Sequence, residues 1–413
     1  MTSPDIKMAL KTAGQVGQSS STTAILGLGF LLALPFSYVS GQSYGQWNAH
    51  AEHESTYPEP FGYLSGVREL SDRTIVAADP ISQVLLFLDL DVGTADTIGR
   101  VGAGPQEYEG PDHVFPLPAD STLLVDLGNG RLITVDPNGE FVQWTPMSTE
   151  VNGLRGRSIH PRFVDSTGSM YVLGPAVSYG GPQDTATFHR IDRVTGEEIK
   201  VAEFWHEENS RRRRGRRRPA FVLSDGLAVN RDGRVAVVRA NGYSVDWYET
   251  DGRITKGPKY AVDTDPISRA DKEREVERWS IEAITSRVVF DAGGSATSSR
   301  NRRGVPTNMQ LGVDGFNWPT NLPVFRPEAT LVSPCGEVWV HRIMPAGEPN
   351  RIEVFDERGI RVGSIAIPTN SKVVGFSTVD GAGSAIFLAR TDEYGLVWLE
   401  RFRVERPRSA CEL

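Results

Sequence analysis

One short pattern, a tight turn followed by an apolar strand, recurs six times along the 413-residue chain and limits what it can fold into. The copies lie at residues 69–78, 118–126, 165–173, 230–238, 333–340 and 380–388. Their turns are built from Asp, Asn, Ser and Gly. Short polar side chains bond their own backbone there, and glycine reaches positive φ without steric cost. A second pattern follows most copies, in which a strand ends in an acid and runs into a glycine turn. Segments 84–91, 132–136, 188–192, 245–249 and 352–356 lead in this way to Gly93, Gly139, Gly196, Gly252 and Gly359. After the sixth copy, residues 397–404 form a final strand with no turn behind it. The first four of these glycines recur at intervals of roughly fifty residues, a period that suits units of four short strands.

A lone unit of that size cannot bury both faces of its sheet, whereas a ring of them buries the faces and protects the edges. The pattern therefore predicts an all-β chain folded as a six-bladed β-propeller. The strand near residues 63–70 is expected to complete the last blade. The interval from Gly252 to Gly359 is about twice the period. A seventh blade would fit it, but much of that stretch lacks strand character. Residues 269–284 are highly charged, with Val276, Trp279, Ala283 and Arg287 on one helical face. They predict an amphipathic helix laying an apolar stripe on the propeller. Residues 292–303, rich in Gly, Ser and Arg, read as a loop. Residues 263–321 are thus expected to form a helical insertion between blades four and five.

The N-terminal residues have the make-up of an export signal. Lys7 and Lys11 precede an apolar run at 24–34, and small residues at 39–41 offer a cleavage point. The run is shorter than the ~20 residues a membrane-spanning helix needs. The expected organisation is a signal at 1–41, with an uncleaved anchor as the alternative. A linker at 42–56, one propeller domain at 57–406 and a tail at 407–413 follow. Location is accordingly periplasmic or extracellular, with the membrane involved only through the N-terminal segment. In such a compartment the two cysteines, Cys335 and Cys411, are a candidate disulfide.

Formal net charge is −8, and seven of the 44 basic residues lie in one run: Arg211, Arg212, Arg213, Arg214, Arg216, Arg217 and Arg218. The rest of the chain is more acidic still, which argues against nucleic acid as a partner. The run itself is a solvated loop between blades three and four and a candidate site for phosphate or an acidic polysaccharide.

At residues 99–142 the chain resembles an NHL repeat. Gly99, Gly102, Gly104 and Pro105 form a glycine-rich lead-in, followed by Tyr108 and Pro111. A Val-x-Asp-like strand ends at Asp126, Asn129 and Arg131 make an Asn-x-Arg pair, and Asp136 to Gly139 closes the unit. Blade three lacks the Asn-x-Arg pair, and blades four and five lack the glycine-rich lead-in. The mature chain is similar to exported bacterial six-bladed propellers related to NHL proteins. That resemblance implies a six-bladed ring and an exported location but no settled activity.

Motifs with their own chemistry are scarce. Gly41-Gln-Ser43-Tyr-Gly45 matches the nucleophile-elbow string, but it follows the signal core and no helix comes after it, so the strained turn is missing. No phosphate loop, dinucleotide fingerprint or H-E-x-x-H sequence occurs. Asp89, Asp91 and Gly93 imitate part of a calcium loop whose later glutamate is missing, and read as an acidic turn. The seven histidines, at 50, 53, 113, 160, 189, 206 and 341, show no ligand spacing beyond the weak His50/His53 pair. His113 and His160 precede predicted inner strands, within reach of the central channel, but the preferred reading of both is an ordinary hydrogen-bonded histidine with no metal site.

The expected function is a non-enzymatic binding module for a protein or polysaccharide ligand, monomeric and without a cofactor or metal site. The alternative is a divalent-metal-dependent hydrolase or lactonase, with calcium in the central channel. Three or more carboxylate, Asn or His side chains converging at one depth would favour that alternative.

Overall fold

The computed structural model describes residues 47–64, 66–151, 154–174, 185–206, 218–221, 223–292, 312–379 and 385–405. These residues are mostly strand, and their sheets follow the chain in order. Gly66–Glu69, Ile75–Asp79, Val84–Asp89 and Thr94–Thr97 form the first four-stranded sheet. Pro111–Pro116, Thr122–Asp126, Arg131–Val135 and Phe141–Pro146 form the second. The third runs from Phe163–Val164 through Met170–Leu173 and Thr185–Ile191 to Glu198–Trp205. The fourth contains Gly226–Val229, Val235–Arg239, Ser244–Tyr248 and Ile254–Lys256. Eight further strands join in one eight-stranded sheet, and three short two-stranded pairs account for the rest.

In the first, second and fourth sheets the last strand is the most exposed. Gly66–Glu69 and Ile75–Asp79 are wholly buried, whereas Thr94–Thr97 is wholly exposed. The first strands also pack on one another in succession. Gly66–Glu69 lies against both Ser371–Phe376 and Pro111–Pro116, and Phe163–Val164 lies against Pro111–Pro116 and Gly226–Val229. Gly226–Val229 in turn lies against Phe325–Val332. Sheets radiating from a succession of packed inner strands are a propeller-like arrangement.

Glycine makes this inner packing close. A Cβ at Gly66 would stand 3.1 Å from the Val114 nitrogen, and one at Gly375 would stand 2.8 Å from the Val67 side chain. At Gly226 it would meet Thr330 Oγ1 at 2.4 Å. Gly226→Ala is therefore expected to lower stability by ~1–3 kcal/mol through overpacking. Thr330→Ala should recover most of that loss, because Thr330 Oγ1 has no hydrogen-bond partner among the described residues. Urea midpoints of the single and double variants measure the coupling, and simple additivity would contradict it.

The lead-in to each inner strand leaves backbone N–H groups that need acceptors. Asp79, at the end of the second strand of its sheet, accepts from Gly62 N at 2.7 Å and Tyr63 N at 3.2 Å. Asp126 occupies the same position in the next sheet and accepts from Glu109 N and Gly110 N, each at 3.0 Å. It also takes Asn129 Nδ2 at 2.8 Å and Arg131 Nε at 3.1 Å. Arg131 spreads its other donors over the carbonyls of Ala103, Gly104 and Glu107. The NHL-like residues of this repeat thus brace one lead-in. Glu107 takes part: it accepts from Gly104 N at 2.6 Å and from Arg100 Nε at 2.8 Å, and these two donors pull its carboxyl below the usual range. In the fourth sheet the acid moves to the lead-in itself, where Asp225 binds Ala240 N and Arg239.

Three expectations need correction. Residues 47–56 are not linker, since Trp47–Thr56 is a strand lying between Arg361–Ile367 and Val397–Val404 in the eight-stranded sheet. The segment near 63–70 supplies the innermost strand of the first sheet and does not complete the last one. The helix spans Arg269–Ala292 and does not dock by an apolar stripe alone. Val276 and Trp279 pack near Phe221, Phe316 and Leu322, and Trp279 Nε1 donates to the Ala220 carbonyl at 2.7 Å. Asp271 and Glu275, one turn apart, are equally inward and buried. Asp271 caps the helix start through Ser268 and accepts from Ala346 N, while Glu275 pairs with Arg326 at 2.6 Å. The side chains of Ala283 and Arg287 lie outside the described residues. Among the described residues no helix is long and apolar enough to cross a membrane.

Candidate metal centre

Asp112 and His113 are the second and third residues of the inner strand Pro111–Pro116, and His160 lies in the lead-in to the neighbouring inner strand Phe163–Val164. In a regular strand two consecutive side chains point to opposite faces. Here the register slips between Pro111, opposite Asp126, and Val114, opposite Leu124. Asp112 and His113 occupy that bulge, which re-aims side chains. The His113 ring consequently turns its Nδ1 onto the Asp112 carboxylate. His160 reaches the same oxygen with Nε2 at 3.3 Å. Its position is fixed from both sides: Ile159 N donates to the Met147 carbonyl, and Arg162 N donates to the Tyr171 carbonyl at 2.8 Å.

The two imidazole rings stand 6.2 Å apart and nearly perpendicular. His113 is also stacked on Phe115, with ring centres 6.0 Å apart. One donor atom from each of Asp112, His113 and His160 lies within 4.8 Å of the others. Burial opposes charge on Asp112, but hydrogen bonds from His113 and His160 outweigh it and hold the carboxyl well below the usual range. The Asp112 side chain is 9% exposed, whereas His113 and His160 are 37% and 35% exposed. A buried anion thus faces two imidazoles that solvent can reach.

One carboxylate oxygen and two imidazole nitrogens suit a divalent transition ion such as zinc, manganese or cobalt. Calcium prefers six to eight oxygens and is poorly served by this set. An ion would take the place of the hydrogen bonds that now join the two imidazoles to Asp112. Three protein ligands leave coordination positions open for a substrate or water.

The other histidines lie away from this cluster. His53 contacts Thr56 Oγ1 at 2.7 Å, and His189 meets Glu198 at 2.8 Å and Thr187 at 3.0 Å. His341 is buried and pushed down to about 4, first by desolvation and then by the nearby Arg326. His50 is exposed on Trp47–Thr56, and His206 forms a β-bridge with Ser224. Asp89 caps its own turn through the N–H groups of Asp91 and Val92, as an acidic turn should. Arg211 to Arg217 lie outside the described residues, and Arg218 begins the short strand Arg218–Pro219 that pairs with Phe316–Asn317. Cys335 is disulfide-bonded, and Cys411 lies outside the described residues.

Sequence set His113 and His160 just before inner strands, with ordinary roles preferred for both and no metal site, and missed Asp112. Its signal was local, an acid between Pro111 and His113 ahead of an apolar pair.

No protein-family model matches the chain, and neither does any curated protein. Among solved structures it is similar to XC5397 of Xanthomonas campestris, a gluconolactonase, with 12% identity over 86% of this chain and 95% of that one, and a TM-score of 0.44. Regucalcin of Agrobacterium tumefaciens, a calcium-binding protein, gives 13% identity over 87% and 98%, with a TM-score of 0.39. Virginiamycin B lyase of Staphylococcus aureus gives 8% identity over 87% and 90%, with a TM-score of 0.37.

Proposed function

We propose that this chain is an exported, NHL-related propeller of six blades that works as a hydrolase or lactonase dependent on a divalent transition metal. Asp112, His113 and His160 would hold the ion. One observation carries the reading: three donors, from one inner strand and the lead-in to its neighbour, converge within 4.8 Å, one on a buried carboxylate and two on accessible imidazoles. This is the convergence that favours the enzyme over a plain binding module.

The count of six rests on how the eight-stranded sheet divides. Residues 47–50 pair in parallel with Arg361–Ile367, and residues 51–56 pair antiparallel with Val397–Val404. The second half of this strand then serves as the fourth strand beside Val397–Val404, Ala385–Thr391 and Ser371–Phe376. Two four-stranded sets result, tied by one N-terminal strand that closes the ring. On this count, residues 263–321 with their helix form an insertion between blades four and five. Export rests on the signal-like run at 24–34.

When bound, the ion would supply Lewis-acid polarisation of an ester or lactone carbonyl. The chain supplies the rest. Asp112 anchors the centre from the buried side, and the two imidazoles leave the solvent side open to a small substrate.

The full chain, stripped with a chelator and reloaded with zinc, manganese, cobalt or calcium, should be assayed on chromogenic esters and lactones. Activity should vanish on stripping and return with a transition ion but not with calcium. Equal activity before and after stripping would overturn the reading.

A further inference from the structure

We propose that Lys372 and Tyr63 form a carboxylate-binding subsite at the same end of the ring as the Asp112–His113–His160 centre. The inference deepens the hydrolase reading and depends on it only for the role assigned to the bound anion.

Lys372 is the second residue of the inner strand Ser371–Phe376, and Tyr63 sits in the lead-in to the inner strand Gly66–Glu69. The Lys372 ammonium lies 4.6 Å from the centre of the Tyr63 ring and 3.4 Å from its hydroxyl. Both side chains are half-buried. The hydroxyl accepts from the ammonium, so its own proton remains to be given to a ligand. Two donors 3.4 Å apart match the two oxygens of one carboxylate.

Position links this pair to the metal centre. Gly66–Glu69 packs against Ser371–Phe376 on one side and Pro111–Pro116 on the other. The space beside Gly66 is closed by Val114 N and His113 Cα, and the space beside Gly375 is closed by Val67. Three neighbouring inner strands are therefore level there, and Lys372 and Tyr63 lie toward the strand starts from that level. The lead-in that carries Tyr63 is held by Asp79 through Gly62 N and Tyr63 N, so the phenol is placed by the fold.

Charge points the same way. Asp112 is the one carboxylate among the three donors of the centre, so a divalent ion held there would leave the centre positive. Lys372 and the exposed Arg162, two residues after His160, add cationic groups on either side of His113. On a chain of net charge −8 these cations stand against the general sign of the molecule, beside the Asp79 carboxylate that holds the Tyr63 lead-in. The ligand class is accordingly a small ester or lactone carrying a carboxylate away from the bond that is cleaved.

The test titrates succinate against the full chain by saturation-transfer NMR, with inorganic phosphate as a second arm, on metal-free and cobalt-loaded protein. Lys372→Met should weaken succinate at least about tenfold, and Lys372→Arg should stay within about threefold of the natural chain. Tyr63→Phe should fall between them. His160→Ala should lose cobalt yet keep the dependence of succinate binding on Lys372. Unchanged succinate binding in Lys372→Met, or none in the natural chain, would overturn the subsite. Phosphate bound more tightly than succinate, with the same dependence on Lys372, would overturn its carboxylate class. Failure to take up cobalt with succinate binding intact would instead sink the hydrolase reading and leave the subsite standing.

Discussion

Asp126→Ala is expected to destabilise the protein by about 3–5 kcal/mol, the cost of removing one partner from a buried charge pair. Asp126 is fully buried and accepts from Glu109 N, Gly110 N, Asn129 and Arg131. Its removal strands two backbone donors and leaves a guanidinium that is itself 8% exposed without its carboxylate. Asp136→Ala provides the contrast. That acid also binds N–H groups, those of Asn138 and Glu140, but in an exposed turn where water can replace it. A loss of about 1 kcal/mol or less is expected there. Urea midpoints of the two variants decide the matter, and equal losses would mean that Asp126 does not brace the lead-in.

His160→Ala should lower zinc affinity at least about a hundredfold, since outer-shell changes alone reach that range and this removes a ligand. Stability should change by only about 1 kcal/mol, because the ring is partly exposed and its polar contact is a single one, to Asp112 at 3.3 Å. His189→Ala is the control, as its ring is engaged by Glu198 and Thr187 and should not affect zinc. Asp112→Ala should abolish zinc binding and also leave His113 without its partner. If His160→Ala and His189→Ala bound zinc equally well, the centre would not involve His160.

Much of the propeller was legible because its turns carry their own chemistry. Asp165, Asn230, Asp356 and Asp392 each cap the N–H groups two and four residues ahead, and the glycine that follows takes positive φ. Such signals are local, so sequence carries them. Trp47–Thr56 was not legible for the opposite reason. Its polar residues give no apolar alternation, only Ala49 is buried, and its partners lie some three hundred residues away. The helix was legible as a helix, but buried Asp271 and Glu275 gain their place only from Ser268, Ala346 and Arg326. The candidate centre was half legible. Inner-strand position put His113 and His160 near the channel without marking them as ligands, and the bulge that turns Asp112 and His113 to one side depends on pairing with Thr122–Asp126.

The central claim, one transition ion held by two imidazoles and one carboxylate, is tested most directly by anomalous diffraction at the zinc edge from crystals of the zinc-loaded chain. The account predicts a single strong peak about 2.0–2.2 Å from His113 Nδ1, His160 Nε2 and an Asp112 carboxylate oxygen. No peak there, or a peak whose ligands exclude Asp112 and His160, would contradict it.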